Sequence, residues 1–247
     1  MIEMKEERAK STEQVKLQDI IEKSFGDRER LRVLEAGCGS ISYVRFPQGA
    51  HVVGIDISEA QLRKNSYLDE KILGDIETYD LPHSAFDAIV CWNVFEHLPH
   101  PAQALDRFAD AIKPGGLIVL ALPNALSFKG LVTKFTPFWF HVWVTRHIVG
   151  RKLAGTEGNP PFPTFMRLSI APQRLMTSAR ERGLTTIHFS LFEDNKQRTI
   201  RRKLRITGMR WRLVQKLVRA VSLGKIETDR AQCILVLQSA ATNVTVA

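Results

Sequence analysis

The residues best placed to do chemistry lie in the first hundred positions. In VLEAGCGS (33–40) an apolar run opens into a turn carrying Gly37 and Gly39, and in GIDIS (54–58) a second apolar run ends on Asp56, followed by Ile57. Glycine has no Cβ, so the backbone there can approach a ligand closely and offer its amides. Asp56 follows Gly39 by 17 residues, close to the roughly 20 at which a carboxylate accepts ribose hydroxyls in nucleotide-binding α/β folds. The pairing implies a nucleoside-bearing cofactor; the alternative is that two glycines and an aspartate fall there by chance. Further on, WNVFEHL (92–98) places His97 just after a third apolar run, where an imidazole can accept a proton near neutral pH. The plainer alternative is that His97 or Glu96 only hydrogen-bonds the next turn or lines the cofactor site.

These groups need a scaffold, and the spacing of apolar runs supplies one. LRVLEAG (31–37), HVVGIDI (51–57), FDAIVCW (86–92) and GLIVLALP (116–123) are short, mostly branched and without a polar face, as strands buried on both sides must be. LTTIHFSLF and AQCILVLQSA add the last two strands. Between them, SEAQLRKNSYL starts with Ser58 as a helix cap, and PAQALDRFADAI puts Pro101 at a helix start with Ala104, Leu105, Phe108 and Ile112 on one face. IAPQRLMTSARERG closes on Gly183 as a residue just past a helix end. Residues 4–25 read as a helix with Val15, Leu17, Ile20, Ile21 and Phe25 as its apolar set, within an N-terminal capping segment 1–30. The alternation predicts one α/β domain over 1–247 with a doubly wound, mostly parallel sheet.

EAGCG, GIDIS, GDIE, FDAIVCWNVFEHL and IKPGGLIVLALPN follow one another over residues 31–124. In that order they resemble the class I S-adenosylmethionine-dependent methyltransferases, particularly the small-molecule, quinone-biosynthesis type. The resemblance implies a Rossmann-like, seven-stranded sheet with an antiparallel last strand, and S-adenosylmethionine as cofactor. It also implies roles: Glu35 beneath the methionine portion, Gly37 and Gly39 as the floor, Asp56 on the ribose, and Asp75 and Ile76 beside the adenine. Trp92 and Asn93 would line the pocket, while Lys113, Pro114, Gly115 and Gly116 would form a structural turn. The sequence departs from the family at Ile41, where a third glycine is usual, and SISYVRFPQGA carries an interior proline, so the first crossover helix is expected to be truncated or irregular. The same departure argues against a dinucleotide, whose pyrophosphate needs a tight turn and a helix N-terminus.

Two insertions interrupt the α/β pattern. Residues 124–168 hold Phe128, Phe135, Phe138, Trp139, Phe140, Trp143, Phe162 and Phe165, too long a stretch for an ordinary loop. Rigid aromatic rings suit a lid over an apolar substrate, or they complete the core. His141 and His147 lie in this lid as lesser base candidates. NPPF (159–162) looks like the catalytic motif of some base methyltransferases but sits in the insertion, where it reads as a proline turn. Within the second insertion, 193–229, residues 195–226 carry eleven Lys/Arg and no Asp or Glu. Ile200, Leu204, Trp211, Val214, Val218 and Val221 recur at helical spacing there, with Gly208 as a potential break. The arm has three readings: an amphipathic helix on an anionic membrane, a helix docked on the sheet with a solvated basic face, or an RNA groove.

Composition bounds these readings. At 247 residues with a net charge of +9, the chain can bury one substantial core, and its basicity is uneven: 13 Lys/Arg against 20 Asp/Glu over 1–110, then 21 against 4 over 111–226. Cys38, Cys91 and Cys233 are far apart, with neither disulfide nor metal-ligand spacing, so reduced thiols and no metal are expected. With no apolar leader and no run of about 18 apolar residues, the expectation is a cytoplasmic protein, peripheral at most on the inner face of a membrane. The expected function is methyl transfer to a small-molecule or lipid-like acceptor, with an oxygen nucleophile. An RNA methyltransferase and a non-catalytic cofactor-binding protein are the rivals.

Overall fold

The computed structural model describes residues 12–156, 159, 161–193, 195–226 and 228–241. The six apolar runs become strands and a short, mostly exposed segment adds a seventh: β1 (Arg32–Ala36), β2 (His51–Asp56), β3 (Glu70–Leu73), β4 (Phe86–Trp92), β5 (Ile112–Pro123), β6 (Leu184–Phe192) and β7 (Gln232–Ser239), with β3 the short one. They form one sheet in the order β3-β2-β1-β4-β5-β7-β6, with β7 antiparallel to both its neighbours and all other pairs parallel. Alternate residues feed two cores. Val33, Ala88, Val90, Val119 and Val236 face one side, and Leu34, Ile89, Cys91, Ile118 and Leu235 the other. Burial on both faces is why these strands lack a polar alternation.

Helix α1 (Thr12–Phe25) covers the first side, burying Leu17, Ile21 and Phe25, one residue per turn. Val15 is left exposed, and residues 4–11 of the expected helix lie outside the described residues. α2 (Glu59–Lys64) begins at Ser58, whose hydroxyl accepts the Gln61 amide. On the opposite side lie α3 (Pro101–Ala111), with Pro101 in its first turn, and α6 (Pro172–Glu181). Gly183, in the left-handed region at φ +73°, follows the end of α6 as the sequence predicts.

Residues 40–50 contain no helix. Instead, the Gln18 and Arg45 groups hydrogen-bond reciprocally, and the Arg45 guanidinium sits 4.6 Å from the centre of the Tyr67 ring. Lys113–Gly116 is a bulge inside β5: pairing with β4 jumps from Phe86↔Ile112 to Ala88↔Leu117 around Gly115, whose φ is +74°.

The lid holds α4 (Phe128–Phe135), α5 (Phe138–Trp143), a π-helical turn (Val144–Val149) and an extended return ending in a 3₁₀ turn (Leu168–Ile170). The basic arm holds α7 (Asn195–Lys203) and α8 (Gly208–Val221), separated at the break that Gly208 suggested in the sequence. Arg205 and Gly208 both adopt positive φ, so the helix breaks and α8 restarts with a different phase. Trp211, Val214 and Val218 turn inward, whereas Leu204 and Val221 are exposed. Acidic residues pin the arm. Glu193 accepts from Arg201 at 2.5 Å, and Asp229 accepts from Trp211 Nε1 at 2.8 Å and from the Gln215 amide. Lys203 Nζ reaches the Val149 carbonyl at 2.9 Å, tying arm to lid. No helix among the described residues is long and apolar enough to cross a membrane.

Candidate functional site

Parallel pairing brings the carboxyl ends of β1, β2 and β4 together, and the turns leaving them build a crevice. Gly37 and Gly39 sit at φ +67° and +53°, and a Cβ on Gly37 would collide with the Val94 side chain, so both backbone shape and space require glycine there. The Gly37 amide donates to the Ile55 carbonyl at 2.8 Å, fixing the turn against β2. Asp56 closes the adjoining corner: its carboxylate accepts the amides of Gly39 and Ser58, each at 2.8 Å. That bond joins the two motifs read from the sequence.

Glu35, Ala36, Gly37, Cys38, Ile41, Tyr43, Val90 and Trp92 line this crevice. At its floor Glu35 is 3% exposed. Its Oε2 accepts the Ser42 hydroxyl at 2.5 Å, while its Oε1 is buried with no hydrogen-bond partner among the described residues. Burial pushes the Glu35 pKa up to about 7, against the opposing pull of the Ser42 bond and the Arg45 charge. Glu35 lines the crevice and one of its buried oxygens lacks a partner, which a cationic ligand group would satisfy, so these residues fit the ammonium end of S-adenosylmethionine. Tyr43 roofs the crevice by stacking on Trp92, ring centres 5.2 Å apart and 9° from parallel. Neither Ser42 nor Tyr43 was singled out by sequence reasoning; their only signal was the departure from pattern in SISYVRFPQGA.

The remaining candidates, Ile57, Asp75, Ile76, Asn93 and His97, are not among the residues that line this crevice. Ile57 is 75% exposed. Asp75 is exposed and accepts the Glu77 amide, so it shapes its own turn, and Ile76 is buried in the core against the sheet. Asn93 is held at φ +55° with its Oδ1 accepting from Gln232 Nε2 at 2.7 Å.

His97 ends the short 3₁₀ turn Phe95–His97 after β4 and lies under the lid. Its Nδ1 is 2.6 Å from the Pro163 carbonyl, and its ring meets the Phe162 edge-on at 6.2 Å. Burial lowers its pKa below the ordinary 6.5, partly offset by the Pro163 contact, so the ring is neutral at pH 7. The Glu96 carbonyl accepts the amides of Phe165 and Met166 at 2.9 and 3.1 Å. The Glu96 carboxyl is fully buried, has an unpartnered Oε2, and has its pKa raised by desolvation to about 8. His141 bonds back to Thr136 and His147 packs on Trp143, so both are used within the lid itself. Cys38, Cys91 and Cys233 are all buried free thiols, and no group of three metal-ligating side chains occurs among the described residues.

A family model described as a methyltransferase domain matches residues 9–154. Among curated proteins, the chain is 30% identical to the ubiquinone biosynthesis O-methyltransferase of Leptothrix cholodnii over 71% of this chain and 73% of that one. It is 30% identical to that of Maricaulis maris over 67% and 68%, and 31% identical to that of Alkalilimnicola ehrlichii over 43% and 47%, the match spanning about half that relative's length. Among solved structures, a putative methyltransferase from Bacillus halodurans shares the fold with a TM-score of 0.55 at 15% identity, over 94% of this chain and all of that one. The Haemonchus contortus phosphoethanolamine N-methyltransferase 2, solved with S-adenosyl-L-methionine, superposes with a TM-score of 0.54 at 14% identity, over 91% and 52%. So does the cyclase SpnF, at 0.54 and 15%, over 92% and 81%, a reminder that the fold does not name the reaction. The matched domain over more than half of the chain, together with the curated relatives, places this chain in the class I S-adenosylmethionine-dependent methyltransferase family.

Proposed function

We propose that this protein transfers a methyl group to a hydroxyl of a small, apolar or lipid-like acceptor, with His97 as the proton acceptor. S-adenosylmethionine supplies a methyl already activated on a sulfonium centre. The chain's own work is to hold that cofactor, exclude water and remove a proton. Glu35 receives the ammonium, Gly37 and Gly39 form the floor, and Asp56 keeps lone pairs for the ribose hydroxyls. Trp92, with Asn93, walls the pocket, and Ile57, Asp75 and Ile76 mark its adenine end.

The observation that carries the reading is the state of His97. With Nδ1 against a carbonyl oxygen and a depressed pKa, the neutral ring leaves Nε2 as a base at the end of β4, its nearest ionisable neighbour Glu96 at 3.9 Å. A base is what a hydroxyl acceptor needs, and the names of the curated relatives point to oxygen as the nucleophile. The exposed aromatic rings of Phe128, Phe162 and Phe165 on the lid suit an apolar acceptor.

Calorimetric titration with S-adenosylmethionine tests the first half: binding is expected in wild type and weakened at least about tenfold in Asp56→Ala. The second half is tested by His97→Gln, expected to lower the methyl-transfer rate by about 10²–10⁴-fold while cofactor affinity holds. Full activity in H97Q removes His97 from the chemistry.

The arm supports a second element of this reading, attachment to an anionic membrane surface. Met209, Leu213, Leu217 and Val221 recur every four residues along the outer face of α8, between 61% and 79% exposed. Arg212, Lys216 and Arg219 flank them. An exposed apolar stripe bordered by cations suits the headgroup region of a bilayer, each cation adding about 1 kcal/mol. Sedimentation with phosphatidylglycerol-containing vesicles is expected for wild type and not for the double variant L213E/L217E. Equal recovery with purely zwitterionic vesicles overturns it.

A further inference from the structure

We propose that lid residues 162–166 are positioning residues for methyl transfer: by clasping the turn after β4 they fix His97 in the single tautomer whose Nε2 is basic. This rests on the reading of His97 as proton acceptor and adds what makes it one.

A carbonyl oxygen only accepts, so at 2.6 Å from the Pro163 oxygen His97 Nδ1 must carry the proton. A neutral imidazole has one N–H, and Nε2 is then left with its lone pair. In free imidazole side chains the proton resides on either nitrogen; the lid carbonyl removes that freedom.

The clasp has three further contacts. The edge of Phe162 packs on the imidazole, and the amides of Phe165 and Met166 both donate to the Glu96 carbonyl, one residue before His97. Met166 holds a left-handed backbone at φ +44° with its side chain 1% exposed, an unfavourable conformation paid for by burial. The titratable groups near the ring are the Glu96 carboxyl of the same turn, 3.9 Å from Nε2 and with its pKa raised to about 8 by burial, and Lys129 of the lid helix α4, whose charge acts on Glu96. Residues 162–166 themselves present a carbonyl and aromatic carbon to the ring. Base competence is thereby coupled to lid closure: a lid that lifts frees the ring to protonate on Nε2 and admits water.

The test is long-range ¹H–¹⁵N correlation NMR of ¹⁵N-histidine-labelled full-length protein, with H97Q assigning the His97 signals. Wild type is expected to show the Nδ1–H tautomer in at least about tenfold excess and a titration midpoint below the ordinary histidine value. Phe162→Ala should reduce that excess to about twofold or less and move the midpoint up, with S-adenosylmethionine affinity unchanged, and Phe162→Tyr should restore the wild-type pattern. An Nε2–H tautomer in wild type, or an unaltered tautomer ratio in folded F162A, overturns the proposal. Phe162→Leu takes the place of F162A if that variant does not fold. Because the tautomer is read without an acceptor, full activity in H97Q defeats the base assignment separately from this result.

Discussion

The carboxyl of Glu35 has its pKa raised from 4.5 to about 7 by burial, which ties stability to pH with a definite sign. An acid that ionises less readily when folded binds more protons folded than unfolded between those values, so stability falls as pH rises from 4.5 to 7 and the deficit persists above. Glu35→Gln abolishes the charge while keeping a group able to accept the Ser42 hydroxyl. At pH 8 it should therefore stabilise the cofactor-free protein by up to roughly 3 kcal/mol, raising the thermal midpoint by up to about 6–12 °C. At pH 4 the two proteins should melt alike. Cofactor affinity at pH 8 is expected to move the other way, since the ammonium loses its anionic partner. Gly37 allows an equally sharp statement: Gly37→Ala meets Val94 and a left-handed backbone together. Calorimetry should find cofactor binding abolished or reduced more than about tenfold.

At the scale of elements, the register of β1, β4 and β5 at their amino ends hangs on Asp87. It is 5% exposed, accepts the Arg32 amide at 2.9 Å, and pairs with Lys113 at 2.7 Å and Arg28 at 3.3 Å. Removing one partner from such a cluster leaves a buried amide and a part-buried ammonium unsatisfied. Asp87→Ala should cost about 2–3 kcal/mol in urea denaturation without touching the crevice at the opposite strand ends. Most elements were legible in the sequence because their signals are local: a period of apolar residues, Ser58 and Pro101 at helix starts, Gly183 past a helix end. β3 was not read from the residues, because a four-residue edge strand with the exposure pattern of EKIL has no apolar face to announce it. Its place came only with the seven strands implied by the resemblance. The break foreseen at Gly208 divides the arm, and with Arg205 and Gly208 both left-handed the apolar residues expected on one helical face are split between two helices.

For the whole molecule, the division between an acidic front and a basic back becomes a division of labour. The front builds the glycine-turn crevice proposed to hold the cofactor, and the back hangs an arm with eleven cations beside the lid. If the arm serves an anionic surface, vesicle binding should fall steeply between low and high salt, because exposed charges are screened within about 8 Å at physiological ionic strength. An arm held to the vesicle by its apolar stripe alone would show little salt dependence.

The amino-acid order by itself determined the α/β class, the glycine turn and its partner Asp56, the two insertions and the placing of a histidine after the fourth strand. Each of these is written in contiguous residues or in a fixed spacing. Which groups meet across long separations was settled only in three dimensions: Ser42 under Glu35, Tyr43 on Trp92, and Pro163 against His97, 66 residues away. Such contacts follow from side chains packing between turns that the sheet brings together, and no local pattern encodes which neighbour a buried polar atom will find.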